Sequence, residues 1–216
     1  MRSLIAVSLS LLVATACAAG SKRPVVETRS PPAAGRLGLP PITVEETPER
    51  CYESLERVNA PTLDEQVSGR IDLASCVADE ALAPLELTDQ PESVIVIDEM
   101  MGPAFWLLDE AMSRGDTAVR VAALRTKADI FGRMGTRMLA TVAPSRSATF
   151  DAALQRERRL QIVGRMVEPW EERARQTHAQ IVALGDAHPE LLQDPAAQLA
   201  ILDSERRLAI PIATRE

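Results

Sequence analysis

The stretch 147-SATFDAALQRERRLQIVGRMVEPWEERARQTHAQIVAL-184 decides the fold, because its apolar residues return every three or four positions over most of its length. Leu160, Val163, Val167, Trp170, Ala174, Thr177, Ile181 and Leu184 fall on one stripe of a helix, flanked by Ile162, Met166 and His178. A stripe that long has to be covered by other helices. The stretch is therefore expected to form the long central helix of a bundle, beginning near Ser147, kinked at Pro169 and ending at Gly185.

Composition agrees with an all-α fold. The 216 residues are 46% hydrophobic and 25% charged, enough for one ordinary core with accessory segments. Aromatic residues make up only 3%, so the core must be aliphatic and alanine-rich, which favours tight helix packing over a sheet. With 24 Lys+Arg against 31 Asp+Glu, the net charge of -7 opposes a phosphate backbone and excludes nucleic acid as the natural partner.

The N-terminus carries an address. A basic start, Met1-Arg2-Ser3, leads into an apolar run from Leu4 to Val13 that is too short to span a bilayer, and Ala14-Thr15-Ala16-Cys17 closes it. Residues 1–16 read as a signal peptide. Small residues directly before a cysteine resemble the lipobox of bacterial lipoproteins. That resemblance covers the first 17 residues and implies that Cys17 is acylated and becomes the mature N-terminus, tied firmly to the membrane by several chains. Within that resemblance, Ala18 stands where an Asp would resemble the inner-membrane retention signal of enteric bacteria, so the resemblance implies the outer membrane, on its periplasmic face. Ala14-x-Ala16 also suits an ordinary signal peptidase, which would release a soluble periplasmic protein.

Residues 17–46 are expected to be a flexible tether, since Pro24, Pro31, Pro32, Pro40 and Pro41 alternate with Gly20, Gly35 and Gly38 and leave no apolar period. Leu39 and Ile42 would be its docking points were it to wrap onto the body instead. Order should begin at Thr47-Pro48, followed by Cys51, Tyr52, Leu55 and Val58 at helical spacing. Thr62-Leu63-Asp64-Glu65 is a capping box that opens a second helix with Leu63, Val67, Ile71, Ala74, Ala78 and Ala81 on one side. Residues 47–83 thus predict an antiparallel hairpin about Pro61. In an oxidising compartment Cys51 and Cys76 form an even pair that the hairpin brings together, and a disulfide is expected there.

Residues 91–210 should form the main bundle and pack with the hairpin as one body of about six helices. Pro91 opens a helix whose inward face is Val94, Ile97, Met101, Phe105, Leu108 and Met112, with Gly102-Pro103 expected to kink it and Gly115 ending it in the left-handed conformation. Asp116 caps the next, with Val121, Leu124, Ala128, Phe131, Gly135, Met138 and Val142 as its seam and Gly132 and Gly135 allowing a close neighbour. Pro144 stops it. Asp194-Pro195 caps a last helix that Leu199, Leu202 and Ala209 would close onto the bundle.

No motif carries catalysis. His178 near Glu171 and Glu172 lacks H-E-x-x-H or E-x-x-H spacing, and nothing places a serine beside a histidine and an acid, so neither a metal, a cofactor nor an enzyme is expected. Arg156-Glu157-Arg158-Arg159 reads as a solvated turn or a site for an acidic partner. Trp106 lies about 100° around from the inward face of its helix, with Glu99, Pro103 and Glu110. It is either covered by a second element or, with Pro103 and Leu107 beside it, an exposed anchor for a protein partner in the cell envelope. The resulting expectation is a non-catalytic, membrane-tethered helical interaction or scaffold module. The alternative is a periplasmic module that binds a small apolar ligand between its helices.

Overall fold

A computed structural model describes residues 39–142 and 149–210. The signal peptide 1–16, Cys17, the tether as far as residue 38, Pro144 and the helix start expected at Ser147 lie outside the described residues. Among the described residues there are six α-helices and no strand: α1 Tyr52–Val58, α2 Leu63–Leu82, α3 Pro91–Arg114, α4 Thr117–Leu139, α5 Phe150–Ala187 and α6 Pro195–Ala209. Single 3-10 turns at Val44–Glu46, Glu49–Cys51 and Pro189–Gln193 complete them. The fold is an all-α helical bundle.

Side chains close the helix ends where the sequence predicts caps. Thr62 Oγ1 accepts from the Glu65 N–H (3.3 Å) and its hydroxyl meets the Glu65 carboxylate at 2.6 Å. Asp116 accepts from the Val119 N–H at 2.9 Å, and Asp194 from the Ala196 N–H at 2.8 Å. The three backbone N–H bonds each satisfy a donor that the first helical turn leaves orphaned, while the Glu65 carboxylate takes the Thr62 hydroxyl rather than a backbone N–H.

Every seam residue from Val121 to Val142 is buried, and Val163, Val167, Trp170, Thr177 and Ile181 of α5 are buried against it, with Leu160, Ala174 and Leu184 half-buried. α5 is the longest helix at 38 residues, but α4 is the one the others surround, since it packs against α2, α3, α5 and α6. The expectation of α5 as the centre is corrected accordingly. Both α3 and α5 run as single helices through Pro103 and Pro169.

Two cores result. The larger joins Leu55 and Val58, Leu73, Ala74 and Ala78, Ile97, Met101 and Leu108, Ile130, Met134 and Met138, and Val163, Val167 and Trp170. The smaller joins Val121 and Leu124 to Ile181, Leu191, Ala197, Ala200 and Ile201. Cys51 and Cys76 form a disulfide with their Cα atoms 5.8 Å apart, which ties the chain ahead of α1 to the middle of α2.

Several expectations are corrected. The tether is packed in its last part: the Leu39 N–H donates to Gln66 Oε1 (2.9 Å), and Asn59 and Ile42 exchange two hydrogen bonds. Residues 39–46 therefore belong to the body, held by amide side chains at the α1–α2 turn that a composition argument ignores. Thr47, where order was expected to begin, is buried, and its hydroxyl donates back to the Thr43 carbonyl. Gly115 has an extended backbone, φ -78° and ψ 162°, and is required because a Cβ there would strike Val119. Gly132 is exposed with nothing within 4 Å of a would-be Cβ, so it admits no neighbouring helix. On α6 the face is turned: Leu199 is 62% exposed and Leu202 is exposed, while Ala197, Ala200, Ile201 and Ser204 point inward. Small residues let α6 approach closely, and Ile201 fills the space above Gly185, where a Cβ would come within 2.9 Å of its Cδ1.

Arg70 was not singled out by any periodicity, yet it is 0% exposed. Its Nε donates to Glu110 Oε2 of α3 (2.8 Å), Nη1 to the Val58 carbonyl (3.5 Å) and Nη2 to the Pro40 carbonyl (2.5 Å). One guanidinium thus ties the entering chain and the end of α1 to α3, which is how a buried charge stays compatible with the core.

Candidate functional site

Helix α3 has two unlike sides. Ile97, Met101, Ala104, Leu108 and Ala111 enter the core, whereas Ile95, Val96, Met100, Gly102, Pro103 and Trp106 are exposed. At about 100° per residue, Ile95, Glu99, Gly102 and Trp106 lie in one line with Val96, Met100 and Pro103 beside it. Trp106 is 51% exposed, so no helix of the body covers it. Of the three residues expected as a partner-binding group, Pro103 and Trp106 share this outward face. Leu107 does not: it is only 4% exposed and belongs to the larger core, because one further step of 100° carries it toward the other helices.

Acidic groups stand on the face itself. Glu92 and Glu99 are exposed and take part in no ion pair among the described residues, whereas Glu110 is held by Arg70. Asp98 marks the inner edge. Its carboxylate accepts from Trp170 Nε1 at 2.9 Å and from Arg173 at 3.4 Å, fastening α5 to the N-terminal half of α3 and leaving the outward half open.

The basic turn of α5 is exposed at Arg156, Glu157, Arg158 and Arg159 alike. Only Arg159 has an acidic partner there, with Nε 2.6 Å from Asp89 Oδ2 in the link before α3. That hydrogen bond holds the Asp89 carboxyl below its ordinary pKa.

An open trough of about 910 Å³ runs along α4 between α2 and the end of α6. Ala128, Gly132 and Thr136 line it from α4, Leu82 and Ala83 from α2. Five charged residues, Asp79, Asp129, Arg133, Arg137 and Arg207, also line it. Arg133 is bonded to Asp79 and to Ser75 Oγ, and Arg137 donates to the Leu85 carbonyl at 3.0 Å. These bonds use the cations to join α4 to α2.

His178 is buried on α5. Ser204 Oγ donates to the Ala200 carbonyl (2.7 Å), which leaves it to accept from His178 Nδ1 at 3.0 Å. Burial pushes the His178 pKa below its usual value, so the ring is neutral and links α5 to α6. Among the described residues, no three His, Cys, Asp or Glu side chains gather to hold a metal ion, and no helix is long and apolar enough to cross a membrane. Compared with models of known families, with curated proteins and with solved structures, the chain shows no significant match.

Proposed function

We propose that this chain is a non-catalytic, membrane-tethered interaction module of the bacterial cell envelope, anchored by lipid on Cys17 and binding a protein partner through the outward face of α3. The observation that carries this reading is Trp106. A half-exposed tryptophan beside Pro103, Ile95, Val96 and Met100 is the composition of a binding hot spot, where truncation commonly costs about 2 kcal/mol or more of affinity. The lipobox resemblance of residues 14–17 supports the tether and the outer-membrane, periplasmic location.

Two substitutions test it. Trp106→Ala should leave folding stability within about 0.5 kcal/mol, as for an exposed site, and abolish cross-linking of the protein into a larger species in intact envelopes. Retained cross-linking would remove the binding face. Cys17→Ser should move the protein out of the detergent phase, and unchanged fractionation would remove the lipid anchor.

The alternative, a small apolar ligand between the helices, draws on the volume of the trough along α4. Its chemistry argues the other way, because the trough is open and five charged residues line it.

A further inference from the structure

Helix α3 brings no cation of its own to its outward face. From Pro91 to Ser113 it holds Glu92, Asp98, Glu99, Asp109 and Glu110 but no Lys, Arg or His. Other helices supply cations to three of these acids: Arg173 meets Asp98, Lys127 meets Asp109 and Arg70 meets Glu110. Glu92 and Glu99 receive none among the described residues. Glu92 stands in the first turn, where a carboxylate suits the positive end of the helix dipole. Glu99 lies beyond that turn, exposed, and nothing in the body compensates its charge.

Glu99 and Trp106 are two turns apart on one line of the helix, about 10 Å along its axis. Gly102 lies between them on that line, exposed and with nothing within 4 Å of the position a Cβ would take, so the Trp106 indole does not cover it. The result is a notch. Its floor is helix backbone, one end is an exposed aromatic ring, the other is an unpaired carboxylate, and Ile95 and Pro103 add apolar surface beside it. A guanidinium suits all of these at once: its plane stacks on an indole, its N–H fork matches a carboxylate, and its methylene stem lies along apolar surface.

We infer that the partner of the outward face of α3 is an apolar protein segment that carries an arginine. Its guanidinium enters the notch over Gly102, between Trp106 and Glu99, and its apolar side chains cover Ile95, Val96 and Met100. This inference rests on the reading of α3 as a binding face and names the chemistry of its partner. The same charges argue against a lipid surface, because a helix that lies on anionic headgroups carries Lys and Arg where α3 carries Glu92 and Glu99.

A library of random short peptides displayed on phage tests it, selected on the purified full-length protein in mild detergent and depleted on its Trp106→Ala variant. The enriched peptides are expected to set an arginine among apolar residues. For a synthetic copy of one of them, Gly102→Leu should weaken binding about tenfold or more by filling the notch, at an exposed helical site where leucine is the better helix former. Glu99→Arg should reverse the preference, so that the variant binds the glutamate form of the peptide more tightly than the arginine form, which also shows that it folds. Glu56→Gln removes an exposed carboxylate on α1 and should leave affinity within about twofold, which separates the notch from the general pull of an acidic chain on cations. No enriched peptide, enriched peptides without arginine, binding indifferent to Gly102→Leu or to Glu99→Arg, or an equal loss with Glu56→Gln would each overturn the inference. So would a Trp106-dependent dimer, or Trp106-dependent sedimentation with vesicles of phosphatidylethanolamine and phosphatidylglycerol, which assign the face to a second copy or to lipid. The failures separate cleanly: a Trp106→Ala variant that loses its cross-linked species in envelopes, beside selected peptides that lack arginine, keeps the α3 face and loses only this partner chemistry. A Trp106→Ala variant that cross-links as before loses both.

Discussion

Helices α4 and α5 carry a core at each end, and the two are built by different means. The larger uses bulk: Trp170, Met101, Met134, Met138, Leu108 and Ile130 are fully buried side chains, the Cys51–Cys76 disulfide closes the hairpin beside them, and Arg70 ties three segments together. The smaller uses proximity. Ala197, Ala200 and Gly185 let α6 approach, Ile201 fills the remaining space, and one hydrogen bond from His178 to Ser204 crosses the contact. Burying fewer large side chains, the α6 end should open before the rest, since local stability follows buried apolar contact.

The largest effect expected is at Trp170. Trp170→Ala removes the biggest buried side chain and its bond to Asp98, and should cost about 3–5 kcal/mol in chemical denaturation, with α1 to α5 lost together. A variant that lost only the α6 end would break the comparison.

Next is the disulfide. Replacing Cys51 and Cys76 by Ser should lower stability by about 3 kcal/mol for a bridge spanning 25 residues, and amide exchange should quicken in α1 and α2 while α6 keeps its own, lower protection.

Gly185→Ala tests the smaller core alone. The added methyl meets three side-chain carbons of Ile201 within 3.2 Å, and that β-branched residue has little freedom to move aside. The expected cost is about 1–2 kcal/mol, read as faster hydrogen exchange in α6 with α1 to α3 unchanged.

The smallest effect is a pH dependence confined to the same end. His178 binds a proton less readily folded than unfolded, because burial lowers its pKa. The unfolded chain therefore takes up more protons as pH falls below about 6.5, and stability declines from there toward the folded pKa, while above that range the contribution is complete. His178→Gln should flatten exchange of α6 between pH 7 and pH 5. A profile unchanged by the substitution would assign the acid sensitivity elsewhere.

Much of this was legible beforehand. In α4 and the second half of α5 the apolar period runs for five or more turns, so only one orientation buries it, and the expected seams are the observed ones. The hairpin, its capping box and the Cys51–Cys76 pair follow from residues whose local geometry leaves few choices. On α3 the period identifies an inside but permits a second covered side, so only the arrangement of neighbours leaves Trp106 open and turns Leu107 inward.

What the sequence by itself determined is the helical class, the capped starts of α2, α4 and α6 and the inward stripes of the long helices, because periodicity and capping act within a few residues. Only the tertiary structure decided which way α6 turns, that Arg70 is buried, and that residues 39–46 dock. A 15-residue helix of alanines and leucines has more than one face it can bury, and the closeness that Gly185 permits selects the small-residue face over Leu199 and Leu202. A buried guanidinium is tolerable only where an acid and carbonyls from distant segments converge, and Glu110, Val58 and Pro40 lie 40, 12 and 30 residues from Arg70. No local rule reaches across that separation, so the packing of the whole chain had to supply it.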